Sequence, residues 1–341
     1  MSIRALEATA QALVAKGKGI LAADESFPSI KKHFDKIGVE STAESRRAYR
    51  ELLFTTKGIE EYISGVILFD ETIRQATKDG TPFTQVMTDA GIIPGIKVDT
   101  GAKDMAGHPG EKITEGLDGL RERLAEYKKL GARFAKWRAV ITIGEGIPSP
   151  GCIEANAEAL ARYAALCQEA GIVPIVEPEV LMDADNTIER CYEVTEATHK
   201  SLFSALYQHR VALEGLLLKT NMVIAGKQCP VQASVEEVAR QTVRCLRNTV
   251  PAAVPGVVFL SGGQSPELST AHLNAMNAQG IAHPWPLSFS YGRALQAPSL
   301  KLWRGDASQV PAAQKALHHR AKCNSFACLG QYTEGMEREA A

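Results

Sequence analysis

Eight short apolar runs along the chain each end in polar or charged residues, and this pattern constrains the fold more than any other feature of the sequence. The runs cover residues 18–26, 65–70, 95–99, 133–140, 173–179, 215–221, 256–263 and 286–292. Near-continuous apolar runs of this length are typical of parallel strands that helices cover on the outside. We therefore predict eight strands of a parallel sheet.

Helical patterns lie between most of these runs. The predicted helices cover 118–131, 153–171, 187–210, 234–248, 266–280 and 310–330, and a further one near 4–15 precedes the first strand. The segment 234–248 begins with a capping box, in which Ser234 is followed three residues later by Glu237. Strands alternating with helices in this number predict an α/β protein with a (β/α)8 fold, the TIM barrel. An open doubly wound sheet is the alternative.

The length of 341 residues would by itself suggest two domains, but α/β barrels of this size fold as one. We predict a single barrel domain over residues 1–341. The polar residues 331–341 at its end are expected to form a loose tail.

Charge and cysteine content exclude several classes of function. Lys and Arg total 38 against 39 Asp and Glu, so no basic excess points to nucleic acid or to a membrane surface. No apolar stretch approaches the ~20 residues of a membrane span, and the first residues lack the apolar core of a secretory signal. The seven cysteines include no C-x-x-C pair, which indicates reduced thiols and a cytoplasmic protein.

Charged and polar residues occur in pairs, two positions apart, at the ends of four strands. Residues two apart in a strand face the same side, and the inward face at the C-terminal end of a barrel opens on its active-site mouth. We expect these pairs to point into the mouth; the alternative is that each lies beyond its strand in solvent. The pairs are Asp24 with Ser26, Lys97 with Asp99, Lys136 with Arg138, and Glu177 with Glu179.

Three successive strands carry Lys136, Glu177 and Lys219, so Glu177 is expected between the two lysines. Burial and a neighbouring cation favour the neutral amine of a lysine, which attacks carbonyl groups to form a Schiff base. Glu177 could move the protons that this reaction requires, and Asp24 could accept a proton from a substrate hydroxyl. The alternative is a salt-bridge network around Glu177 and Glu179 without any chemistry.

An anion site is predicted in the loops after the last two strands. The sequence LSGGQS places Ser261, Gly262 and Gly263 at the end of the seventh run, and SYGRA places Gly292 and Arg293 at the end of the eighth. Backbone N–H groups of these loops form the usual phosphate site of a (β/α)8 barrel. No nucleotide-binding glycine motif is present.

Histidines give no sign of a catalytic metal. None lies within a predicted strand and none has H-x-x-x-H spacing, so we predict surface positions on helices and loops for all of them. A mouth rich in lysine and poor in histidine favours amine catalysis without a metal or another cofactor. The histidines are His33, His108, His199, His209, His272, His283, His318 and His319.

The motifs GKGILAADES (17–26), GIVPIVEPE (171–179), VPGVVFLSGGQS (254–265) and SYGRALQ (290–296) closely resemble class I fructose-bisphosphate aldolases. The resemblance extends from about residue 16 to 332. It implies reversible cleavage of fructose 1,6-bisphosphate to dihydroxyacetone phosphate and glyceraldehyde 3-phosphate, and often a homotetramer. Another Schiff-base aldolase, a transaldolase-like barrel for a different sugar phosphate, and a non-enzymatic binding scaffold are the alternatives.

The resemblance also implies roles for individual residues. Lys219 would form the Schiff base, Glu177 would act as acid and base with support from Glu179, Asp24 would deprotonate the hydroxyl that precedes bond cleavage, and Lys136 would be the mouth cation. The C1 phosphate would bind at Ser261, Gly262, Gly263, Ser290, Gly292 and Arg293, and the other phosphate near Ser26, Ser29, Lys97 and Arg138.

Two positions depart from the family pattern. The family usually has proline after the Schiff-base lysine, where this chain has Thr220. Proline would restrict the backbone there, and threonine relaxes this restriction and adds a hydroxyl. His33 stands where the family has an arginine, which predicts a weaker or pH-dependent contact with one phosphate.

Overall fold

The computed structural model describes residues 3–278, 280 and 282–340. Within them, the strands are β1 (Gly19–Ala23), β2 (Ile63–Leu68), β3 (Ile93–Lys97), β4 (Gly101–Asp104), β5 (Lys112–Glu115), β6 (Phe134–Ile141), β7 (Val173–Val180), β8 (Leu217–Thr220), β9 (Val257–Phe259) and β10 (Leu287–Tyr291). Eight of these strands run parallel and close into a barrel in the order β1-β10-β9-β8-β7-β6-β3-β2. Each of the eight apolar runs overlaps one barrel strand, so the predicted (β/α)8 barrel is confirmed and the open sheet is wrong.

Helices follow the barrel strands and cover them on the outside. In the described residues they are α1 (Ile3–Leu13), α2 (Phe27–Asp35), α3 (Ala43–Phe54), α4 (Asp70–Ile73), α5 (Phe83–Asp89), α6 (Leu120–Lys129), α7 (Pro150–Ala170), α8 (Ile188–Gln208), α9 (Val235–Thr249), α10 (Pro266–Ala278), α11 (Arg293–Trp303) and α12 (Val310–Cys328). Short 3₁₀ helices cover Ile59–Glu61, Leu213–Gly215, Ala307–Gln309 and Glu334–Ala340.

Side chains of the barrel strands point alternately into the barrel and outwards beneath the helices. On β7, Val173 and Ile175 belong to the apolar cluster inside the barrel, while Val176 and Val180 pack in the cluster under the helices. The inward positions are apolar where the strand begins and become charged at Glu177, near its end. The period-two pattern thus builds an apolar floor beneath a polar mouth.

Helix α1 closes the end of the barrel at which the strands begin. Its residues Leu6, Ala10 and Leu13 pack in the inner cluster with the first apolar residues of the strands. Gly65 on β2 lets this helix approach, because a Cβ atom there would lie 2.6 Å from Leu13 Cδ2. The predicted N-terminal helix is therefore confirmed, and the structure adds that it closes this end of the barrel.

Some elements have no counterpart in the sequence predictions. An antiparallel hairpin of β4 and β5 lies between β3 and α6, and its exposed, polar β4 carries no apolar alternation that could reveal it. Helices α2 to α5 and α11 were also not predicted. Helix α11 contains Pro298, a residue that normally indicates a helix boundary. The capping box of α9 is half formed: the Ser234 side chain accepts a hydrogen bond from Glu237 N.

Part of the predicted loose tail packs against the barrel. Tyr332 and Met336 are 8% exposed, and the Tyr332 hydroxyl donates to Glu337 Oε1 at 2.9 Å. Glu337 also forms an ion pair with buried Arg320 of α12. Apolar burial and a paired charge order this segment, and Ala341 lies outside the described residues.

The prediction that all eight histidines lie at the surface is wrong for His199 and His272, which are 0% and 2% exposed. Each is buried with hydrogen-bond partners, as buried polar groups require: His272 Nδ1 lies 2.6 Å from Gln264 Oε1. Burial lowers the pKa of both rings to about 4, so they are neutral near pH 7. The cysteines, all within the described residues, form no disulfide, as predicted.

Candidate active site

A cavity of about 570 Å³ opens at the C-terminal ends of the barrel strands. Its wall includes every residue predicted for catalysis or phosphate binding except Gly263: Asp24, Ser26, Ser29, His33, Lys97, Lys136, Arg138, Glu177, Glu179, Lys219, Ser261, Gly262, Ser290, Gly292 and Arg293. Residues that the period-two pattern assigned to the mouth, although far apart in sequence, therefore lie together in one cavity.

Further lining residues were missed by the sequence analysis. Lys32, Asp35 and Lys36 come from α2 or directly follow it, and Glu25 immediately precedes that region. These residues were missed because α2 itself was not predicted. Its short amphipathic pattern, with Ile30 and Phe34 buried, is the signal that could have revealed it.

The Glu177 carboxylate lies between the two lysines, as predicted. Lys219 Nζ is 3.0 Å from Glu177 Oε1, and Lys136 Nζ is 3.3 Å from Glu177 Oε2. Lys136 Nζ also lies 2.7 Å from Asp24 Oδ2, across the mouth on the end of β1. The side chains of Lys136, Glu177 and Lys219 are each at most 5% exposed, so these charges interact in a poorly hydrated site.

Electrostatics hold this group in a charged resting state. Burial alone would raise the pKa of Asp24, but the charges of Lys136, Lys219 and Lys97 outweigh it and lower that pKa to about 2. Burial likewise opposes ionisation of Glu177, yet Lys136 and Lys219 bring its pKa below the ordinary value. Both carboxyl groups are therefore ionised at neutral pH.

One step of the sequence argument is wrong for Lys136. A second nearby cation was expected to favour its neutral amine. Burial does disfavour its charge, but the carboxylates of Asp24 and Glu177 have the larger combined effect and raise the pKa of Lys136. Lys136 is thus a permanent ammonium that contacts two carboxylates, whereas the ion pair of Lys219 within the described residues is with Glu177.

The remaining charged pairs support the wall of the mouth. Arg138 Nε forms an ion pair with Glu179, and Lys97 Nζ lies 2.6 Å from Asp99 Oδ1. Asp99 also accepts a hydrogen bond from the Arg138 backbone N–H at 3.2 Å. Asp99 is buried and orients Lys97, so its role differs from the predicted position in the mouth itself.

The loops after β9 and β10 line the part of the mouth where an anion site was predicted. Gly262 and Gly263 have φ of 58° and 92°, which side chains rarely adopt, and Gly292 precedes the first residue of α11. A Cβ atom on Gly263 would lie 3.2 Å from Arg293 Nη2 and 2.6 Å from Lys227 Nζ. Lys227 was not predicted; it reaches this loop while paired with Asp183 at 2.6 Å.

Ser290 provides an unsatisfied group at the same place. Its side chain is buried, faces the cavity, and its Oγ has no hydrogen-bond partner among the described residues. Buried hydroxyl groups without a partner are rare because they lose their contact with water. A phosphate held by the helix α11 N-terminus and Arg293 would provide that partner.

Helix α2 and the residue before it contribute Ser26, Ser29 and His33 to the other predicted anion site, while Lys97 and Arg138 come from β3 and β6. Ser26 precedes the first residue of α2, and the Ser26 and Ser29 hydroxyl oxygens lie 3.2 Å apart. Burial lowers the pKa of His33; Glu25 opposes this effect, while Arg293 and Lys36 add to it. His33 is therefore a weaker cation than its ordinary pKa would suggest, and the charge of Arg293 acts on it directly.

The residue after Lys219 is held in a buried hydrogen-bond network. The side chain of Thr220 points away from the mouth, and its Oγ1 lies 2.9 Å from His199 Nε2 on α8. His199 Nδ1 lies 3.1 Å from Thr249 Oγ1, at the end of α9. Asn221 accepts a hydrogen bond from Val180 N at 3.0 Å, which links the ends of β7 and β8.

The partners of this network settle the tautomer of His199. Thr249 Oγ1 donates its hydrogen to Cys245 O at 2.8 Å, so it accepts from His199 Nδ1–H. His199 Nε2 must then accept from the Thr220 hydroxyl. The Thr220 hydroxyl, at the position where proline was expected, thus donates to His199 Nε2. Through His199 and Thr249 it links the end of β8 to α8 and α9.

Comparison with known proteins identifies close relatives. A family model described as fructose-bisphosphate aldolase class-I matches residues 5–341. A probable fructose-bisphosphate aldolase class 1 of Xanthomonas campestris pv. campestris is 66% identical over 333 residues, which cover 97% of this chain and 99% of that protein. Fructose-bisphosphate aldolase 5, cytosolic, of Arabidopsis thaliana is 53% identical over 333 residues, covering 98% and 93% of the two chains.

A solved structure has the same fold. The fructose-bisphosphate aldolase of Plasmodium falciparum, in a ternary complex with TRAP and a small-molecule inhibitor, matches with a TM-score of 0.96 and 51% identity. The match covers 98% of this chain and 96% of that one. Among the described residues, no helix combines the length and apolar character that crossing a membrane requires.

Proposed function

The chain belongs to the class-I fructose-bisphosphate aldolase family, and from this premise we propose that Lys219 is the residue that forms the Schiff base. The family cleaves fructose 1,6-bisphosphate reversibly, without a metal, in glycolysis and gluconeogenesis. The observation that carries the assignment is the Glu177 carboxylate between Lys219 and Lys136. Lys136 is held as a cation by two carboxylates, which leaves Lys219 as the amine available for attack.

Glu177 is the proton carrier of Schiff-base formation. Lys219 Nζ attacks the substrate carbonyl as a neutral amine, and Glu177 Oε1, 3.0 Å away, accepts the proton that Nζ loses. After the attack, a second proton moves from the nitrogen to the former carbonyl oxygen, which gives the carbinolamine. The protonated Glu177 then donates its proton to the carbinolamine hydroxyl, which leaves as water, and the nitrogen lone pair forms the iminium bond. Arg138, which forms an ion pair with Glu179, also provides positive charge that lowers the pKa of Glu177.

Asp24 is the base for carbon–carbon cleavage. It accepts the proton of the hydroxyl on the carbon that leaves as an aldehyde, while the electrons of the broken bond pass to the iminium and form an enamine. With a pKa of about 2, Asp24 is a weak base while it is paired with Lys136. Substrate must therefore weaken the Asp24–Lys136 ion pair, or Lys136 must stabilise the developing alkoxide, before the proton moves.

The two phosphates occupy opposite sides of the mouth. We assign the C1 phosphate to the loops after β9 and β10, and the other phosphate to the side formed by β3, β6 and the start of α2. The C1-phosphate residues are Ser261, Gly262, Gly263, Ser290, Gly292 and Arg293. The other set is Ser26, Ser29, Lys97 and Arg138, and His33 lies at the edge towards Arg293.

Reduction with borohydride in the presence of dihydroxyacetone phosphate tests the Schiff base. The adduct should lie on Lys219, and Lys219→Ala should abolish both the adduct and fructose 1,6-bisphosphate cleavage. Lys136→Met, in which Lys219 is intact, is the matched control and should still form an adduct on Lys219. Trapping on Lys136, or cleavage activity in Lys219→Ala, would refute the assignment.

Comparison of substrates tests the second phosphate site. Arg138→Met should reduce cleavage of fructose 1,6-bisphosphate but not that of fructose 1-phosphate, which lacks the second phosphate. Equal rates for both substrates in the unchanged enzyme would favour the alternative of a different sugar phosphate and would argue against this site.

We also propose a single catalytic domain, a cytoplasmic location and a homo-oligomer, which the resemblance to the family suggests is a tetramer. The cytosolic relative and the unoxidised cysteines support the location. Light scattering of the purified chain measures the oligomeric state, and a monomeric mass would contradict that part of the proposal.

A further inference from the structure

Three side chains with metal-binding atoms meet on the outside of the barrel, away from the mouth. His319 and Cys323 are one helical turn apart on α12, and His319 Nε2 lies 3.5 Å from Cys323 Sγ. Glu337 comes from the C-terminal segment, defined here as residues 332–338, and its Oε2 is 3.7 Å from His319 Nε2. The three ligand atoms all lie within 4.8 Å of one another.

The distance between two of these ligand atoms agrees with one kind of metal site. Zinc binds nitrogen at about 2.0 Å and sulfur at about 2.3 Å in a tetrahedral arrangement, so the two ligand atoms are about 3.5 Å apart. The distance between His319 and Cys323 equals that edge without any movement. A histidine nitrogen, a thiolate and a carboxylate together suit zinc better than magnesium or calcium, which prefer oxygen.

We propose that His319, Cys323 and Glu337 bind one Zn²⁺ ion, or a similar transition-metal ion, and thereby attach the C-terminal segment to α12. The ion takes the place of the Cys323 thiol proton, which is released to solvent, and no electron is transferred. Three protein ligands leave a fourth position for solvent, and the partly exposed His319 provides access to it.

Arg320 is in direct contact with this group and opposes a cation here. Its Nη1 forms an ion pair with Glu337 Oε2, so the metal must share this oxygen with the guanidinium. Sharing is possible because a carboxylate oxygen has two lone pairs. Arg320 also donates from Nη2 to Thr270 Oγ1 at 2.6 Å, and the Tyr332 hydroxyl donates to Glu337 Oε1. These bonds orient the carboxylate towards His319, as outer partners of metal ligands commonly do.

The site is independent of the aldolase reaction. None of its three residues lines the mouth, so the proposal stands or fails separately from the role of Lys219. Its consequence is local: metal would hold the C-terminal segment on α12 through a contact additional to the Arg320–Glu337 ion pair.

Titration of the full chain with Co²⁺, followed by competition with Zn²⁺, is the direct test. In a reductant without thiols, we expect one Co²⁺ per chain, a thiolate charge-transfer band and displacement by Zn²⁺. His319→Ala and Cys323→Ser should each weaken binding more than about tenfold, and Glu337→Gln should weaken it less. His318→Ala and Cys328→Ser, which alter the same residue types on the same helix, should bind like the unchanged protein.

Proteolysis provides a second measurement that does not depend on the spectrum. Zn²⁺ should slow tryptic cleavage after the exposed Arg338 in the unchanged protein but not in His319→Ala, which carries the test if Cys323→Ser fails to fold. Absence of stoichiometric binding, or binding by His319→Ala equal to that of the unchanged chain, would overturn the proposal.

Discussion

Replacing Thr220 by valine removes one buried hydroxyl and keeps the shape of the side chain. Thr220 and His199 are both 0% exposed, so neither can recover a lost hydrogen bond from water. In Thr220→Val, His199 Nε2 keeps a lone pair that the Thr220 hydroxyl satisfied at 2.9 Å. His199 Nδ1 remains bound to Thr249, which prevents the ring from turning to another partner.

The cost follows from leaving a buried acceptor unpaired, about 1–3 kcal/mol of unfolding free energy. At roughly 2.1 cal/mol/K of unfolding entropy per residue, a chain of 341 residues has an unfolding entropy of about 0.7 kcal/mol/K. The melting temperature of Thr220→Val should therefore fall by about 1–4 °C. His199→Leu should also be destabilised, although the Thr220 hydroxyl retains a longer contact to Asn221 Oδ1 at 3.4 Å.

A double-mutant cycle measured by urea unfolding and calorimetry provides the assay. Replacing both partners of a hydrogen bond by apolar groups is far less costly than replacing one. The double variant Thr220→Val/His199→Leu should thus lose at least about 1 kcal/mol less than the sum of the two single losses. Thr249→Val, which leaves the Thr220 contact intact, is the matched control. Losses that add within about 0.5 kcal/mol would refute the network as a coupled unit.

Three further predictions concern other buried polar groups. Ser290→Ala should leave stability unchanged or slightly raised, because its hydroxyl has no partner, but should raise KM for fructose 1,6-bisphosphate by about tenfold. Ser288→Ala, which loses a hydrogen bond to a backbone oxygen, is the control: it should lower stability and leave KM unchanged. Lys136→Met should raise the pKa of Asp24 above about 2, as ¹³C NMR titration against Asp24→Asn would show, and an unchanged pKa would contradict the assigned cause. Burial lowers the pKa of His272 from 6.5 to about 4, so the folded state favours the neutral ring. About 3 kcal/mol of unfolding free energy that is present above pH 6.5 should therefore be lost as the pH falls from 6.5 to 4. The unfolding free energy of a His272→Gln variant should fall less over that interval.

The barrel could be predicted from the sequence because its strands are buried on both faces. Runs such as 173–179 are apolar throughout and end in charge, and this pattern has few other structural interpretations. The β4–β5 hairpin and helix α11 lack such a signal: β4 is exposed and polar, and Pro298 lies within α11. Their structure depends on contacts with the rest of the fold rather than on local pattern.

Most of the site could be predicted because strand periodicity determines which side chains share the mouth. The charge state of the site could not, since it depends on how many opposite charges each group contacts. Sequence order placed Lys136 and Lys219 on either side of Glu177, but it gave no sign that Asp24 crosses the barrel to within 2.7 Å of Lys136. Together with the contact to Glu177, this contact turns the expected neutral amine into a stable cation. The Thr220–His199 contact was invisible for the same reason, because 21 residues separate its partners.

One unsatisfied atom shows where the site is incomplete without substrate. Ser290 Oγ is buried, faces the mouth and has no hydrogen-bond partner in the described structure. Glu177 Oε2 also makes no hydrogen bond there, but the Lys136 ammonium lies 3.3 Å from it. An unpaired buried polar atom reduces stability, so a fold retains it only where another requirement prevails. A substrate phosphate oxygen would provide the partner of Ser290 Oγ, and the free energy recovered would favour the pose in which the carbonyl carbon lies beside Lys219.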